Sequence, residues 1–171
     1  ERCRKIVEKL LIYTRLGSPV RERTDLKELV EDTLDFFHTH LELDGYQLHL
    51  DLHEGVQVLA VAQELQQVLV SLLLNAKESY ETAPELAKNI AISCGQSEGH
   101  GWIVVRDAGI GIAPDDLTRV FEPFFTNKTI GKNIGLGLSV ALEIVRQHGG
   151  DLALKSTPGQ GTAARFSLPL S

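Results

Sequence analysis

Several things are scarce in this chain of 171 residues, and each scarcity removes a class of function. Two cysteines, Cys3 and Cys94, are too few for a disulfide framework, and neither sits in a metal-ligand cluster. A reducing, cytoplasmic setting is the expectation. There is no extended block of lysine or arginine and the formal net charge is −6, which disfavours a nucleic-acid partner. The longest apolar run, 68–74, is interrupted by Ser71 and is far short of a membrane span. No signal-peptide pattern occurs. The phosphate-binding G-x-x-x-x-G-K-[ST] loop is missing, and so is a strand–G-x-G-x-x-G–helix unit. His38, His40, His49, His53, His100 and His148 are scattered, with no metal-ligand pair on one helix face and no Ser/His/Asp order. The chain opens on Glu1 inside a helical pattern. It therefore reads as a piece of a longer protein, and these absences describe the piece alone.

What is present is one well-cored domain with a short appendage. Residues 1–16 have helical spacing, with Ile6, Leu10 and Tyr13 on one face, and stop at Gly17-Ser18-Pro19. A second helix is predicted from Thr24 or Asp25, either a good N-cap, to about His40. Strands are predicted at 46–52 and 56–61, a long helix at 62–80, and strands at 90–94 and 102–106 joined by a polar connection. A helix over 134–148 ends at Gly149-Gly150, and two last strands follow at 151–155 and 162–168. Strands in hairpin-like succession with a few long helices between them predict an α/β two-layer sandwich built on a mixed sheet.

Three segments carry chemistry. On the long helix, Leu65, Val68, Leu69, Leu72, Leu73 and Ala76 form an apolar stripe, and Glu64, Gln67, Ser71, Asn75 and Glu78 form a polar line beside it. Asn75 reads either as an oxygen ligand for a hard cation such as Mg²⁺ or as an Asn that caps a backbone group or lies at the helix edge. Asp107-Ala-Gly109-Ile-Gly111 follows an apolar strand; its carboxylate can accept from the exocyclic amine of adenine, although such a turn is also common without a ligand. Gly135-Leu136-Gly137-Leu138-Ser139 opens a helix with Leu138, Leu142 and Val145 on one face, and amides at a helix N-terminus suit phosphate. Between the two lie the anchors Phe121, Phe124 and Phe125 and a polar stretch, 126–137, with the look of a mobile cover. Lys128 and Lys132 in that stretch read as phosphate contacts or as solvated loop charges.

In order, these motifs resemble a family. Residues 65–76 resemble the N box of sensor histidine kinases, 107–111 their G1 box, 121–126 their F box and 135–139 their G2 box. His148-Gly-Gly150 and Pro158-Gly-Gln-Gly161-Thr162 match the closing segments, so the likeness covers about residues 24–170. It implies the fold of the GHKL ATPases, a group that includes gyrase and mismatch-repair ATPases. It also implies ATP and Mg²⁺ as ligands. By resemblance Asn75 is the Mg²⁺ ligand and Asp107 the adenine acceptor. Gly109 and Gly111 form the turn beside the base. Gly135, Leu136, Gly137 and Leu138 with Lys128 meet the phosphates, and Thr162 helps bind adenine. Residues 1–16 resemble the end of the phosphoacceptor and dimerisation hairpin, 17–23 a linker and 24–171 the catalytic domain.

The chain departs from the family at three places. Ser71 stands where a second Asn is usual and where gyrase-type members carry a water-activating Glu, which argues against fast intrinsic hydrolysis. Glu78 and Ser79 stand where Lys and Tyr are frequent, which puts one phosphate contact in doubt. No phosphoacceptor motif is present: His53-Glu54 lies in a strand-rich stretch and is rejected. The resemblance implies a parent that phosphorylates a His on its hairpin as a homodimer and passes the group to a response-regulator receiver domain. The piece itself is then expected to bind ATP without phosphorylating itself. The alternatives are a related serine kinase or ATPase, and a non-catalytic nucleotide-gated interaction module.

Overall fold

The computed structural model describes residues 20–125 and 135–171, apart from the side chains of 36–40, 42 and 43. The helix expected over 1–16 and Lys128 and Lys132 lie outside the described residues.

The chain begins with β1 (Glu22–Asp25) and α1 (Leu26–Leu43), followed by β2 (Gln47–Leu52), β3 (Gln57–Ala60) and α2 (Ala62–Glu78). Then come β4 (Asn89–Ser97), β5 (His100–Asp107), the short α3 (Pro114–Leu117), α4 (Gly137–Gln147), β6 (Asp151–Thr157) and β7 (Gly161–Pro169). Five strands form a sheet in the order β2-β4-β5-β7-β6, and β1 and β3 form a separate antiparallel pair. β2 runs parallel to β4, while the other neighbours are antiparallel, so the sheet is mixed as predicted. Only β4–β5 and β6–β7 pair in hairpin-like succession: β2 is parallel to β4 across the crossover of β3 and α2, and β5 pairs with β7 rather than β6.

Strand parity assigns the faces. Along β5, Gly101, Ile103, Val105 and Asp107 are buried while His100, Trp102, Val104 and Arg106 are more open. The buried set lies under the helices: a Cβ on Gly101 would stand 2.9 Å from Val56 and 3.1 Å from Leu26. One layer of helices thus covers one face of one sheet, and a single cluster containing Leu26, Leu65, Leu69, Leu72, Ile92, Ile103 and Phe166 fills the space between. The predicted stripe of α2 is buried at all six positions, and the polar line beside it is half-buried.

Local signals account for most boundaries. Asp25 is the N-cap of α1: its Oδ1 accepts from Lys27 N (2.9 Å) and Glu28 N (3.3 Å). Thr24, the other candidate, is buried in β1. The polar connection predicted at 96–101 is only two residues, Glu98 and Gly99, both at positive φ in a tight hairpin turn, so β4 and β5 run on to meet. α4 ends as expected at Gly149, where the amide of Gly150 donates to Val145 O. The buried face of α4 is Ala141, Ile144 and Val145, with Leu138 and Leu142 half-buried at its margin. β1 has no apolar run and straddles the predicted boundary between linker and domain; only its pairing with β3, Glu22 opposite Ala60, makes it a strand.

Two buried polar side chains pin the helices. His148 Nε2 accepts from Val61 N (3.1 Å), so its Nδ1 carries the proton and donates to Ile144 O (2.8 Å), joining the end of α4 to the start of α2. Tyr80, 1% exposed, donates from its hydroxyl to Asn89 O (2.6 Å) and accepts from Ala108 N (2.8 Å), joining the end of α2 to both β4 and the turn after β5. Tyr80→Phe removes a shared partner from the part-buried Asn89 carbonyl and Ala108 amide. It should cost about 1–2 kcal/mol, seen as a lower urea midpoint with an unchanged slope.

Candidate functional site

The buried parity of β5 ends on a carboxylate. Asp107 is the last residue of the strand, 7% exposed, on the helix-covered face. A charge there needs donors. Asp107 Oδ1 accepts from Gly109 N (2.9 Å) and from Ser79 Oγ (2.9 Å). Register places Thr162 of β7 directly opposite Asp107, and Ser156 of β6 directly opposite Thr162. The Ser156 and Thr162 hydroxyls are 2.8 Å apart. One polar row, Asp107, Thr162 and Ser156, therefore crosses the ends of three strands. A cleft of about 440 Å³ opens beside it, lined by Asp107, Thr157, Gln160, Gly161, Thr162 and Leu117 among others.

The turn after β5 and the turn between β6 and β7 interlock. Ser156 Oγ accepts from Ile112 N (2.8 Å), and Gly159 N donates to Ile110 O (2.7 Å). Gly111 (φ +71°) and Gly161 (φ +83°) allow this approach: a Cβ would lie 2.2 Å from Thr157 O at the first and 2.0 Å from Asp107 O at the second. The D-x-G-x-G segment is thus a turn held against another turn, with its carboxylate fixed at the base.

Asn75 and Ser71 lie one helical turn apart on the polar line of α2. Asn75 Nδ2 and Ser71 Oγ are buried and have no hydrogen-bond partner among the described residues. Asn75 Nδ2 therefore caps no backbone group among the described residues. Native interiors leave few groups unpartnered, because each costs about 1–3 kcal/mol. Ser71 Oγ borders the start of α4: a Cβ on Gly137 would come within 2.8 Å of it. Gly137 is the first residue of α4, three residues later than predicted, and Leu136 precedes it without a side-chain cap. The first-turn amides of a helix have no intrahelical acceptor. Gly135 and Leu136 lead into α4, and the first-turn amides of Gly137 and Leu138 begin that helix beside Ser71 of α2. Among the described residues no group of three or more His, Cys, Asp or Glu is placed to hold a metal. An amide with phosphate oxygens is a donor set that suits Mg²⁺ better than such a cluster would.

The aromatic segment closes this side. Phe121 packs on the core, and Arg119 lies 4.5 Å above the ring of Phe125. Phe124 is 70% exposed at φ +66°, and its amide donates to Gly135 O (2.9 Å), so the F segment and the glycine segment meet. Lys128 lies between them, outside the described residues.

Residues 60–171 match the sequence profile of a family described as histidine kinase-, DNA gyrase B-, and HSP90-like ATPase. The chain belongs to this family. Sporulation kinase E of Bacillus subtilis is 29% identical over 171 residues, which is 99% of this chain and 22% of that protein. The C4-dicarboxylate transport sensor protein DctB of Rhizobium meliloti is 34% identical over 165 residues, 96% of this chain and 26% of that protein. The chain thus spans about a quarter of the length of these relatives. Among solved structures, the catalytic domain of histidine kinase ThkA in a nucleotide-free form superposes with a TM-score of 0.75 at 25% identity, covering 87% of this chain and 95% of that one. Within the ATPase family this chain is the ATP-binding catalytic domain of the sensor histidine kinase type. No helix among the described residues is long and apolar enough to cross a membrane.

Asp107, Gly109, Gly111 and Thr162, grouped by their motifs in the sequence, are together in the fold, and Asn75 lies one turn along α2 from Ser71. Ser156 and the contact of Ser79 with Asp107 were not foreseen. Ser79 had a signal, since it lies four residues after Asn75 on the same side of the helix. Ser156 had none before the strand register was known. The interlocked turns allow a graded comparison. Gly159, also at positive φ, has open space around it, whereas a Cβ at Gly161 meets backbone. Gly159→Ala should cost about 1 kcal/mol and Gly161→Ala clearly more, read as the difference in unfolding free energy between the two variants.

Proposed function

We propose that this domain binds Mg·ATP between α2, the turn after β5 and the start of α4, for transfer of the γ-phosphoryl group to a histidine on the parent protein's hairpin. The observation that carries the proposal is the pair of buried atoms on α2 without a partner among the described residues, Ser71 Oγ and Asn75 Nδ2, the first of them beside the first turn of α4. A half-turn of the Asn75 amide exchanges its donor for its acceptor, so the same side chain serves as an oxygen ligand to Mg²⁺. When bound, the metal neutralises phosphate charge and organises the leaving diphosphate.

The chain's own residues do the positioning. Asp107 accepts from the exocyclic amine of adenine, with Thr162 beside it and the turn through Gly109 and Gly111 against the base. Gly135, Leu136, Gly137 and Leu138 offer amides to the phosphates, and Lys128 joins them. Ser71 is a hydroxyl and no general base, so water is not activated and the γ-phosphoryl group is kept for the histidine. What remains for the domain is orientation and charge stabilisation. On this reading the phosphorylated hairpin of a homodimer passes its group to the aspartate of a response-regulator receiver domain, and residues 1–16 belong to that hairpin. The isolated chain therefore acquires no acid-labile, base-stable label from γ-labelled ATP, while a hairpin supplied in trans does.

Asn75→Ala is the direct test. Because the amide nitrogen has no partner and alanine favours the helix, stability should stay within about 0.5 kcal/mol of the wild type or rise. The Mg²⁺-dependent part of ATP affinity should disappear. Equal Mg²⁺ dependence in calorimetric titrations of the two proteins would sink the assignment.

A further inference from the structure

Ser79 follows α2 at the position where the family resemblance left a phosphate contact in doubt. Its surroundings belong to the base side. Its Oγ lies 2.9 Å from Asp107 Oδ1 and 2.7 Å from Ala76 O. A hydroxyl carries one proton, so it donates to one of the two at a time, and the carboxylate is the stronger acceptor. Gly109 N donates to the same Oδ1 at 2.9 Å. Ser79 O accepts from Ile110 N at 3.2 Å, and a Cβ on Gly109 would lie 2.0 Å from Ser79 Oγ. The end of α2 and the turn after β5 are thus fitted together around this one side chain.

We propose that Ser79 is a positioning residue that sets selectivity for a 6-aminopurine over a 6-oxopurine nucleotide by fixing the plane of the Asp107 carboxylate. The inference rests on the reading of Asp107 as acceptor for the base amine. An ionised carboxylate only accepts, so it attracts the 6-amino group and repels a 6-oxo group. That discrimination holds only while the carboxylate cannot turn aside. Donors from two different segments, the α2 terminus and the β5 turn, hold the same oxygen and oppose that rotation. Removing the hydroxyl leaves the Gly109 amide in place and frees the carboxylate to tilt.

The test is displacement of trinitrophenyl-ATP from the 171-residue chain by ATP and by inosine triphosphate. The variants are Ser79→Ala, Asp107→Asn and the double substitution, each checked by thermal melting. Ser79→Ala should weaken ATP roughly three- to tenfold, the worth of one hydrogen bond, and leave inosine triphosphate within about twofold, so the ratio of the two falls. In the Asp107→Asn background the serine substitution should not change the ratio further. Ser79→Thr keeps the hydroxyl and should keep the wild-type ratio. A merely structural role would weaken both nucleotides together, and that result overturns the inference, as does an additive fall of the ratio in the double variant. If Asp107→Asn itself leaves the ratio as in the wild type, the base-contact reading fails and the inference with it. If Asp107→Asn abolishes the preference while Ser79→Ala retains it, only the inference fails. Because a ratio is measured, an affinity loss common to both nucleotides cancels, and a less stable Ser79→Ala protein still discriminates between these outcomes.

Discussion

The seam between α2 and the inner face of the sheet is the contact on which the rest of the structure depends. Leu65, Leu69, Leu72 and Leu73 are at most 2% exposed, and each buried side chain of this size contributes about 1.5–3 kcal/mol. That seam fixes the rotation of α2 about its axis. Once the rotation is fixed, the polar line one step around the helix has no freedom either: Ser71 faces the start of α4, Asn75 follows one turn on, and Ser79 faces the end of β5. The core therefore aims the site, and the unpartnered polar atoms are a cost that the apolar face of the same helix offsets.

The sheet sets the other half of the geometry in the same way. A period of two along β5 carries Asp107 to the covered face because Ile103 and Val105 belong there, and antiparallel register then brings Thr162 and Ser156 alongside. A slip of one residue in β5 would turn Asp107 toward solvent and Arg106 toward the helices. The buried tyrosine and histidine at the ends of α2 resist such slips, since Tyr80 reads the position of Asn89 and Ala108 at once and His148 holds α2 to α4.

Features of long regular period were legible in the sequence. The apolar stripe of α2 is buried at every predicted position, and Asp25 caps α1 as a short acidic side chain before a helix should. Features decided by tertiary pairing were not. β1 is four residues of mixed polarity and exists through β3, while the parallel placing of β2 depends on a crossover that alternation cannot reveal. In the site, residues inside motifs were found because glycine and aspartate in turns have few other uses. Ser156 was missed because a serine alternating in a strand has many. Ser79 entered only as a departure from the family pattern, and its hydrogen bond to Asp107 is a tertiary contact that no motif announced.

The two parts of the proposed site differ in their hydrogen bonding. At the Asp107 end the polar groups are already engaged: Ser79 and Gly109 donate to the carboxylate, and Ser156 bonds Ile112 and Thr162 across the interlocked turns. Such an end is preorganised, and a base entering it gains contacts with little ordering cost. At the α4 end the reverse holds: Ser71 Oγ and Asn75 Nδ2 have no partner, and the helix begins without a side-chain cap. Those groups lose nothing when they turn to a charged ligand, and they stabilise the free domain least. On the proposed reading, the fixed end chooses the nucleotide and the unsatisfied end holds the part of it that changes during transfer. The physical basis of that division is where the fold placed its hydrogen bonds, complete at one end of α2 and left open in its middle.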